Sequence, residues 1–317
     1  MSADGAAIGK RLRRQDLTAA PAALNLLEST APADREQTAA LLAEVSPAAL
    51  GGEAQAHVIG VTGPPGAGKS TLLSALLHAW RAQGRTVAML AVDPSSRRSG
   101  GSLLGDRARI DFDPADRGIL IRSTAAGERL GGVAWATRAA AHALAAAYDI
   151  VVIETVGVGQ AETEIADVAD TVAVVVQPGS GDVLQFLKSG IMEIPDVLVV
   201  TKSDLGQIAT STRRDLSAAL RSLGSRSTRV VGVSSLPPPS GIEDLVTALE
   251  EHHKSLDLTA RRLHARRASA LTEFTVEHGE RALRALGGRS SAEKLLAAQD
   301  PGLEVPGLVA ALERELS

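Results

Sequence analysis

His57-Val58-Ile59-Gly60-Val61-Thr62-Gly63-Pro64-Pro65-Gly66-Ala67-Gly68-Lys69-Ser70 is the stretch that decides the fold of this chain. Six residues with strand character lead into the spacing Gly-x-x-x-x-Gly-Lys-Ser, and a helix-like segment, Ser70 to Gln83, follows at once. A strand that turns through glycines into a helix N-terminus is a phosphate cradle. The glycines let the backbone curl so that successive N–H groups face phosphate oxygens, and the helix N-terminus adds its partial positive charge. In that geometry Lys69 reaches the β and γ oxygens and the Ser70 hydroxyl ligates magnesium, with Thr71 continuing the first turn.

Outward from this point, β-like runs alternate with helix-like ones. The runs are Val87 to Val92, Ile119 to Arg122, Ile150 to Ile153, Thr171 to Val176, Val197 to Val200 and Val230 to Val233; helical spacing recurs at Gly132 to Ala147 and Thr210 to Leu223. Such alternation predicts βαβ units and an α/β fold, a doubly wound and mostly parallel sheet. Ahead of the first strand, helical spacing at Leu17 to Leu27 and Asp34 to Val45 predicts an N-terminal helical arm over residues 1–55. The core domain is expected over 56–256. A helix starts at Ile242, and the chain reads as wholly helical over 257–317, with breaks at Gly287-Gly288 and Asp300-Pro301-Gly302.

Composition narrows the function classes. Aromatic residues make up only 2% of the 317, so aliphatic side chains on many helices must pack the core. The net charge of −4 supplies no global basic field for nucleic acid, and the clusters Arg11 to Arg14 and Arg261 to Arg267 read as solvated helix faces. With no cysteine there is no disulfide, thiolate metal site or Cys nucleophile. No segment offers the roughly 18 apolar residues of a membrane span, and Met1 to Gly9 lacks a secretory apolar core. A cytoplasmic protein without membrane or nucleic-acid partners is expected.

Three carboxylates stand at or just past strand ends, and a fourth, Asp106, closes a glycine-rich loop. Glu154 closes the apolar run Ile150 to Ile153 and precedes Gly157, whose N–H can sense a γ-phosphate and whose freedom suits a switch. Asp93 closes Val87 to Val92 and opens a glycine-rich stretch that ends on Asp106. Both are candidates for metal or water positioning at the carboxyl edge of an open sheet. Base choice is expected from Thr201-Lys202-Ser203-Asp204. A carboxylate at Asp204 accepts both the N1 and N2 hydrogens of guanine, which adenine cannot offer, while the Lys202 stem lies on the base. Ser234, Ser235 and Leu236, after the last strand, complete the expected contacts to GTP or GDP.

These motifs resemble one family. Val92-Asp93-Pro94-Ser95-Ser96, Ser99-Gly100-Gly101-Ser102-Leu103-Leu104-Gly105-Asp106, Glu154-Thr155-Val156-Gly157-Val158-Gly159-Gln160 and Lys188-Ser189-Gly190-Ile191-Met192-Glu193-Ile194 are similar to the MeaB/ArgK-type GTPases. Those are chaperones of adenosylcobalamin-dependent methylmalonyl-CoA mutase. The resemblance spans about residues 57 to 245. It implies a magnesium-dependent GTPase that gates cofactor loading of an acyl-CoA mutase, and a C-terminal arm that pairs two protomers. Leu263, Leu271, Phe274, Leu283 and Leu286 are the apolar positions of that arm. It further implies that Ser70, Asp93, Asp106 and Glu154 surround the metal, that Gly157 belongs to a switch, and that Asp182, Gln185 and Lys188 relay nucleotide state.

Two departures stand out. Thr201 occupies the place of an asparagine whose amide donates to guanine N7 and braces the loop, and Ser123 to Gly132 replaces a Pro-Ser-rich loop, which suggests a related acyl-CoA mutase as client. The competing readings are a nickel-delivery GTPase, for which His252-His253 is the only tight His pair, and a small-molecule kinase or transport-type ATPase.

Overall fold

The computed structural model describes residues 4–93, 110–125, 135–155, 164–179, 195–222, 224 and 227–316, with Asp93 and Ala125 described by backbone alone. The chain divides into two compact units, one of residues 57–137 and 148–256, the other of 1–56, 138–147 and 257–317.

The first unit holds seven strands: β1 (His57–Thr62), β2 (Val87–Asp93), β3 (Ile119–Ala125), β4 (Ile150–Glu154), β5 (Thr171–Val176), β6 (Val197–Val200) and β7 (Arg229–Gly232). They form one sheet in the order β3-β2-β4-β1-β5-β6-β7, and every neighbouring pair is parallel. All seven expected strands form, and the α/β reading holds. Every residue of β1, β4, β5 and β6 is buried. That is why these strands read as continuous apolar runs: a parallel sheet is covered on both faces. From β1 the chain moves to β2 on one side and later returns to β5 on the other. The carboxyl ends around β1 are therefore the switch point where open sheets bind ligands.

Among the described residues the helices are α1 (Gly5–Arg13), α2 (Ala20–Leu27), α3 (Arg35–Glu44), α4 (Pro47–Leu50), α5 (Lys69–Ala82), α6 (Trp135–Ala145), α7 (Gln207–Ser222), α8 (Ile242–Ser255), α9 (Leu258–Ala285), α10 (Arg289–Ala297) and α11 (Val305–Arg314). α5 lays Leu72, Leu73, Leu76, Leu77 and Trp80 on Val61, Met89, Val152 and Val175 of the sheet, in one core with Leu245 and Leu249 of α8. Trp80 is 1% exposed, and truncating a buried aromatic of this kind costs about 3–5 kcal/mol. α5 ends where Gly84 adopts φ 77° and the Arg85 N–H bonds to the Trp80 carbonyl at 3.1 Å, a glycine-closed helix end.

The second unit is helical, and here the structure corrects the sequence reading at one point, the cluster Arg261 to Arg267. Within the expected N-terminal arm, α1 precedes the helical spacing read from Leu17 onward, and Gly5 and Gly9 do not act in it as the helix breakers that glycine commonly is. They are instead where α1 presses on α3: a Cβ at Gly5 would sit 1.8 Å from the Gln37 carbonyl oxygen, and one at Gly9 2.7 Å from that of Leu41. Asp4 caps α1 by accepting from the Ala7 N–H at 2.9 Å.

The cluster Arg261 to Arg267 is not a solvated face. Arg262 donates to the carbonyls of Ala54 and Ala56 at 2.6 and 2.7 Å, and buried Arg266 holds both oxygens of Glu53 at 2.8 and 3.0 Å. A bidentate guanidinium–carboxylate pair is the arrangement that can offset the desolvation of two charges.

Four of the five apolar positions named for 257–317 pack in one cluster within the chain. Leu271, Phe274 and Leu283 are buried with Leu296 of α10 and Leu308, Val309 and Leu312 of α11, and Leu286 packs on the same cluster. α9 is broken at Gly279, which sits at φ 78° and ψ 169°.

Candidate functional site

The site grows from the end of β1. Gly63 follows Thr62 at φ 145°, and a Cβ there would lie 2.1 Å from the Val175 carbonyl oxygen of β5, so only glycine fits beside that strand. Gly66 and Gly68 take φ values of 79° and 89°, and the Ala67 N–H bonds to the Pro64 carbonyl at 3.2 Å. α5 starts directly after Gly68. Lys69, its first residue, is buried, and its ammonium donates to the carbonyls of Gly63 at 2.7 Å and Pro64 at 3.2 Å. The cation thus lies over the loop that it closes. Ser70 is half-buried in the first turn, and its carbonyl accepts from the Ser74 hydroxyl at 3.0 Å.

Beside the loop ends β4. Glu154 pairs in register with Val61 on one side and Ala91 on the other, and its side chain is only 8% exposed. The Thr155 N–H continues the ladder to the Val61 carbonyl at 2.9 Å. A buried carboxylate next to the strand that feeds the loop is the oxygen donor a hard divalent cation would use. Asp93 closes β2 two residues past Ala91, which pairs with Glu154. Its side chain, like Asp106, Gly157, Asp182, Gln185 and Lys188, lies outside the described residues.

The carboxyl ends of β5, β6 and β7 carry the second half of the site. The Thr201 hydroxyl lies 2.6 Å from the Ala67 carbonyl and 3.2 Å from that of Val176. This corrects one expectation: threonine does brace the phosphate loop, through its hydroxyl, in place of the missing amide. Lys202 takes a left-handed φ of 51°, and its ammonium bonds Gln177 Oε1 at 2.7 Å. Asp204 is exposed, and its Oδ1 accepts from the Ser234 hydroxyl at 2.8 Å. Ser234 is buried and bridged to Ser240, Ser235 is half-buried, and Leu236 is 60% exposed.

Phosphate loop, Glu154 and the Thr201–Asp204 turn therefore meet at one edge of one sheet. The roles of Gln177, which holds Lys202, and of the Thr201 hydroxyl were not read from the sequence. A polar residue directly after an apolar strand was the available signal for Gln177. A cleft of about 800 Å³ touches this edge at Thr71 and Ser235 and runs between Ser74, His78, Asp111 and Glu243.

The histidine pair is engaged at the opposite, amino end of the strands. His252 Nδ1 and His57 Nε2 both lie 2.8 Å from the Thr171 hydroxyl, and the rings of His57 and His253 stack at 4.1 Å. His252 Nε2 is 3.1 Å from Asp196. The pair holds strand ends together and is remote from the phosphate loop along the strands.

The chain has relatives across most of its length. Residues 5–286 match the family described as methylmalonyl-CoA mutase-associated GTPase MeaB. A protein of Pyrococcus abyssi named as a GTPase is 39% identical over 266 residues, covering 81% of this chain and 79% of its own. The mitochondrial methylmalonic aciduria type A homologue of Mus musculus is 41% identical over 202 residues, 61% of this chain and 48% of that protein. The crystal structure of a protein named LAO/AO transport system kinase is similar with a TM-score of 0.68 at 27% identity, over 99% of this chain and 98% of that one. With its phosphate loop and parallel sheet, and with these relatives, the chain is a GTPase that belongs to the MeaB family.

Proposed function

We propose that this GTPase works with magnesium and gates cofactor loading and protection of an adenosylcobalamin-dependent acyl-CoA mutase, methylmalonyl-CoA mutase or a relative. The observation that carries the reading is the match of residues 5–286 to a family described as associated with that mutase. The nucleotide half of the reading is supported by the convergence of the phosphate loop, Glu154 and Asp204 at one sheet edge.

In this reading the N–H groups of Gly63 to Ser70 cradle the phosphates and Lys69 exchanges its two carbonyl partners for β and γ oxygens. Ser70 and Glu154, with Asp93 and Asp106, form an all-oxygen donor set that suits a hard cation such as magnesium. When bound there, magnesium would neutralise charge gathering on the phosphate oxygens. Asp204 accepts from guanine, Lys202 covers the base, and Thr201, Ser234, Ser235 and Leu236 shape its surroundings. Gly157 acts as the γ-phosphate switch, while Asp182, Gln185 and Lys188 carry nucleotide state to the client. Pairing of two copies through 257–317 is kept on the family resemblance alone.

No helix among the described residues is long and apolar enough to cross a membrane. A cytoplasmic place with the mutase follows from the proposed role. The test is to measure GTP and ATP turnover of the purified chain with and without magnesium, then to repeat it with purified methylmalonyl-CoA mutase. Magnesium-dependent, GTP-selective turnover that rises with the mutase, together with co-elution of the two proteins, is expected. Equal use of ATP, or no effect and no co-elution, sinks the reading.

A further inference from the structure

Two hydroxyls at the carboxyl edge of the sheet are buried without a bond. Thr62, which ends β1, is 0% exposed, Thr155, which follows β4, is 1% exposed, and neither Oγ1 has a hydrogen-bond partner among the described residues. Each leaves the cost of its desolvation unmet, which folded chains seldom tolerate.

The two are neighbours. Val61 pairs in register with Glu154, and the Thr155 N–H bonds to the Val61 carbonyl at 2.9 Å, so Thr62 and Thr155 are the next residues on adjacent parallel strands. Successive side chains alternate between faces, which turns both hydroxyls to the face opposite Val61 and Glu154. Adjacent strands run about 4.8 Å apart. A hydroxyl–hydroxyl bond of about 2.8 Å is within reach of such a pair through side-chain rotation and a small approach of the two strand ends.

Each hydroxyl also stands at the root of one half of the nucleotide site. Thr62 precedes Gly63, whose carbonyl accepts from the Lys69 ammonium at 2.7 Å, and Thr155 follows Glu154. We propose that Thr62 and Thr155 are positioning residues for GTP hydrolysis, a role that rests on the reading in which Ser70 and Glu154 share the cation. Their hydroxyls bond to each other once Lys69 leaves the Gly63 carbonyl for the phosphates and Glu154 takes the magnesium. That bond holds Glu154 level with the phosphate loop.

The experiment is a double-mutant cycle in the full chain over Thr62→Val, Thr155→Val and the two together, with Thr155→Ser as the conservative control. For each, urea midpoints are measured without nucleotide, affinity by fluorescent-nucleotide titration with magnesium, and GTP turnover over a magnesium series. Valine replaces a hydroxyl that has no bond to lose, so midpoints without nucleotide should stay the same or rise. Each valine should weaken magnesium–GTP binding about fivefold and raise the magnesium needed for half-maximal turnover. The double variant should lose no more than either single one, and Thr155→Ser should stay near the unmodified chain. Full magnesium–GTP affinity in both valine variants, losses that multiply in the double variant, or lowered midpoints without nucleotide overturn the proposal. Turnover of the unmodified chain that ignores magnesium would instead sink the shared-cation reading itself, and the proposal with it.

Discussion

The hydroxyl of Thr201 lies 2.6 Å from the carbonyl oxygen of Ala67, 134 positions earlier in the chain, and this bond ties the turn after β6 to the phosphate loop. The carbonyl is buried with Ala67 at 0% exposure, so removing the donor leaves an acceptor without its closest partner. Such a loss costs about 1–3 kcal/mol. Thr201→Val is expected to weaken GTP binding about tenfold while Thr201→Ser stays near the unmodified protein. Fluorescent-nucleotide titration checks this, and equal affinity in all three would remove the brace from the account.

Lys69 spans Gly63 and Pro64 with one ammonium group, and no other side chain in the loop carries charge. Lys69→Ala is expected to lower GTP turnover by at least about a hundredfold, because a positioned cation on developing charge cannot be replaced by water. Glu154→Gln should keep most nucleotide affinity and lose turnover chiefly at limiting magnesium. Phosphate-release assays across a magnesium series separate the two outcomes; near-normal turnover in Lys69→Ala would defeat the cradle.

The Cβ that alanine would bring to Gly63 falls 2.1 Å from the Val175 carbonyl, and the backbone there sits at φ 145°. Both faults oppose the folded state together. Gly63→Ala should therefore lower stability by about 3 kcal/mol or more, seen as a reduced urea midpoint with an unchanged slope. A midpoint within error of the unmodified chain would show that the strand can yield.

Asp204 is oriented by the Ser234 hydroxyl at 2.8 Å. Asp204→Asn is expected to cut GTP affinity by at least about tenfold and to move preference toward xanthosine triphosphate, whose extra carbonyl suits an amide donor. Ser234→Ala should give a smaller loss with unchanged base order. Competition between the three nucleotides is the measurement; ATP displacing GTP equally from the unmodified chain would contradict the assignment of Asp204.

Asp116 grips the Arg81 guanidinium through both oxygens at 2.8 Å, and this pair, helped by the Gly118 N–H, holds its carboxyl below the ordinary value of 3.8. A lowered carboxylate adds stability above the ordinary value and loses it as pH falls through the folded one. Asp116→Asn should thus cost about 1 kcal/mol near neutrality. The difference from the unmodified chain should close below about pH 4, in urea melts at a series of pH values. A gap independent of pH would point to packing instead of charge.

What could be read from the amino acids alone was local or periodic. β4, β5 and β6 were legible because burial on both faces favours apolar residues along the whole strand, and the less buried β3 and β7 were legible from their short apolar runs. The phosphate loop was legible because its backbone path needs glycine at Gly63, Gly66 and Gly68 and a cation at the next step, all within eight residues.

Contacts between distant segments were decided by the tertiary structure. That Thr201 reaches Ala67, that Arg266 reaches Glu53 213 positions away, and that Leu271 and Phe274 are covered by α10 and α11 depend on how the segments pack. Gly5 and Gly9 show the same divide: their propensity argues against a helix, yet the close approach of α3 requires residues without a side chain. Periodicity reports which face of a segment is buried. It carries no record of what lies against that face, because the partner is chosen by the sum of packing over the whole chain.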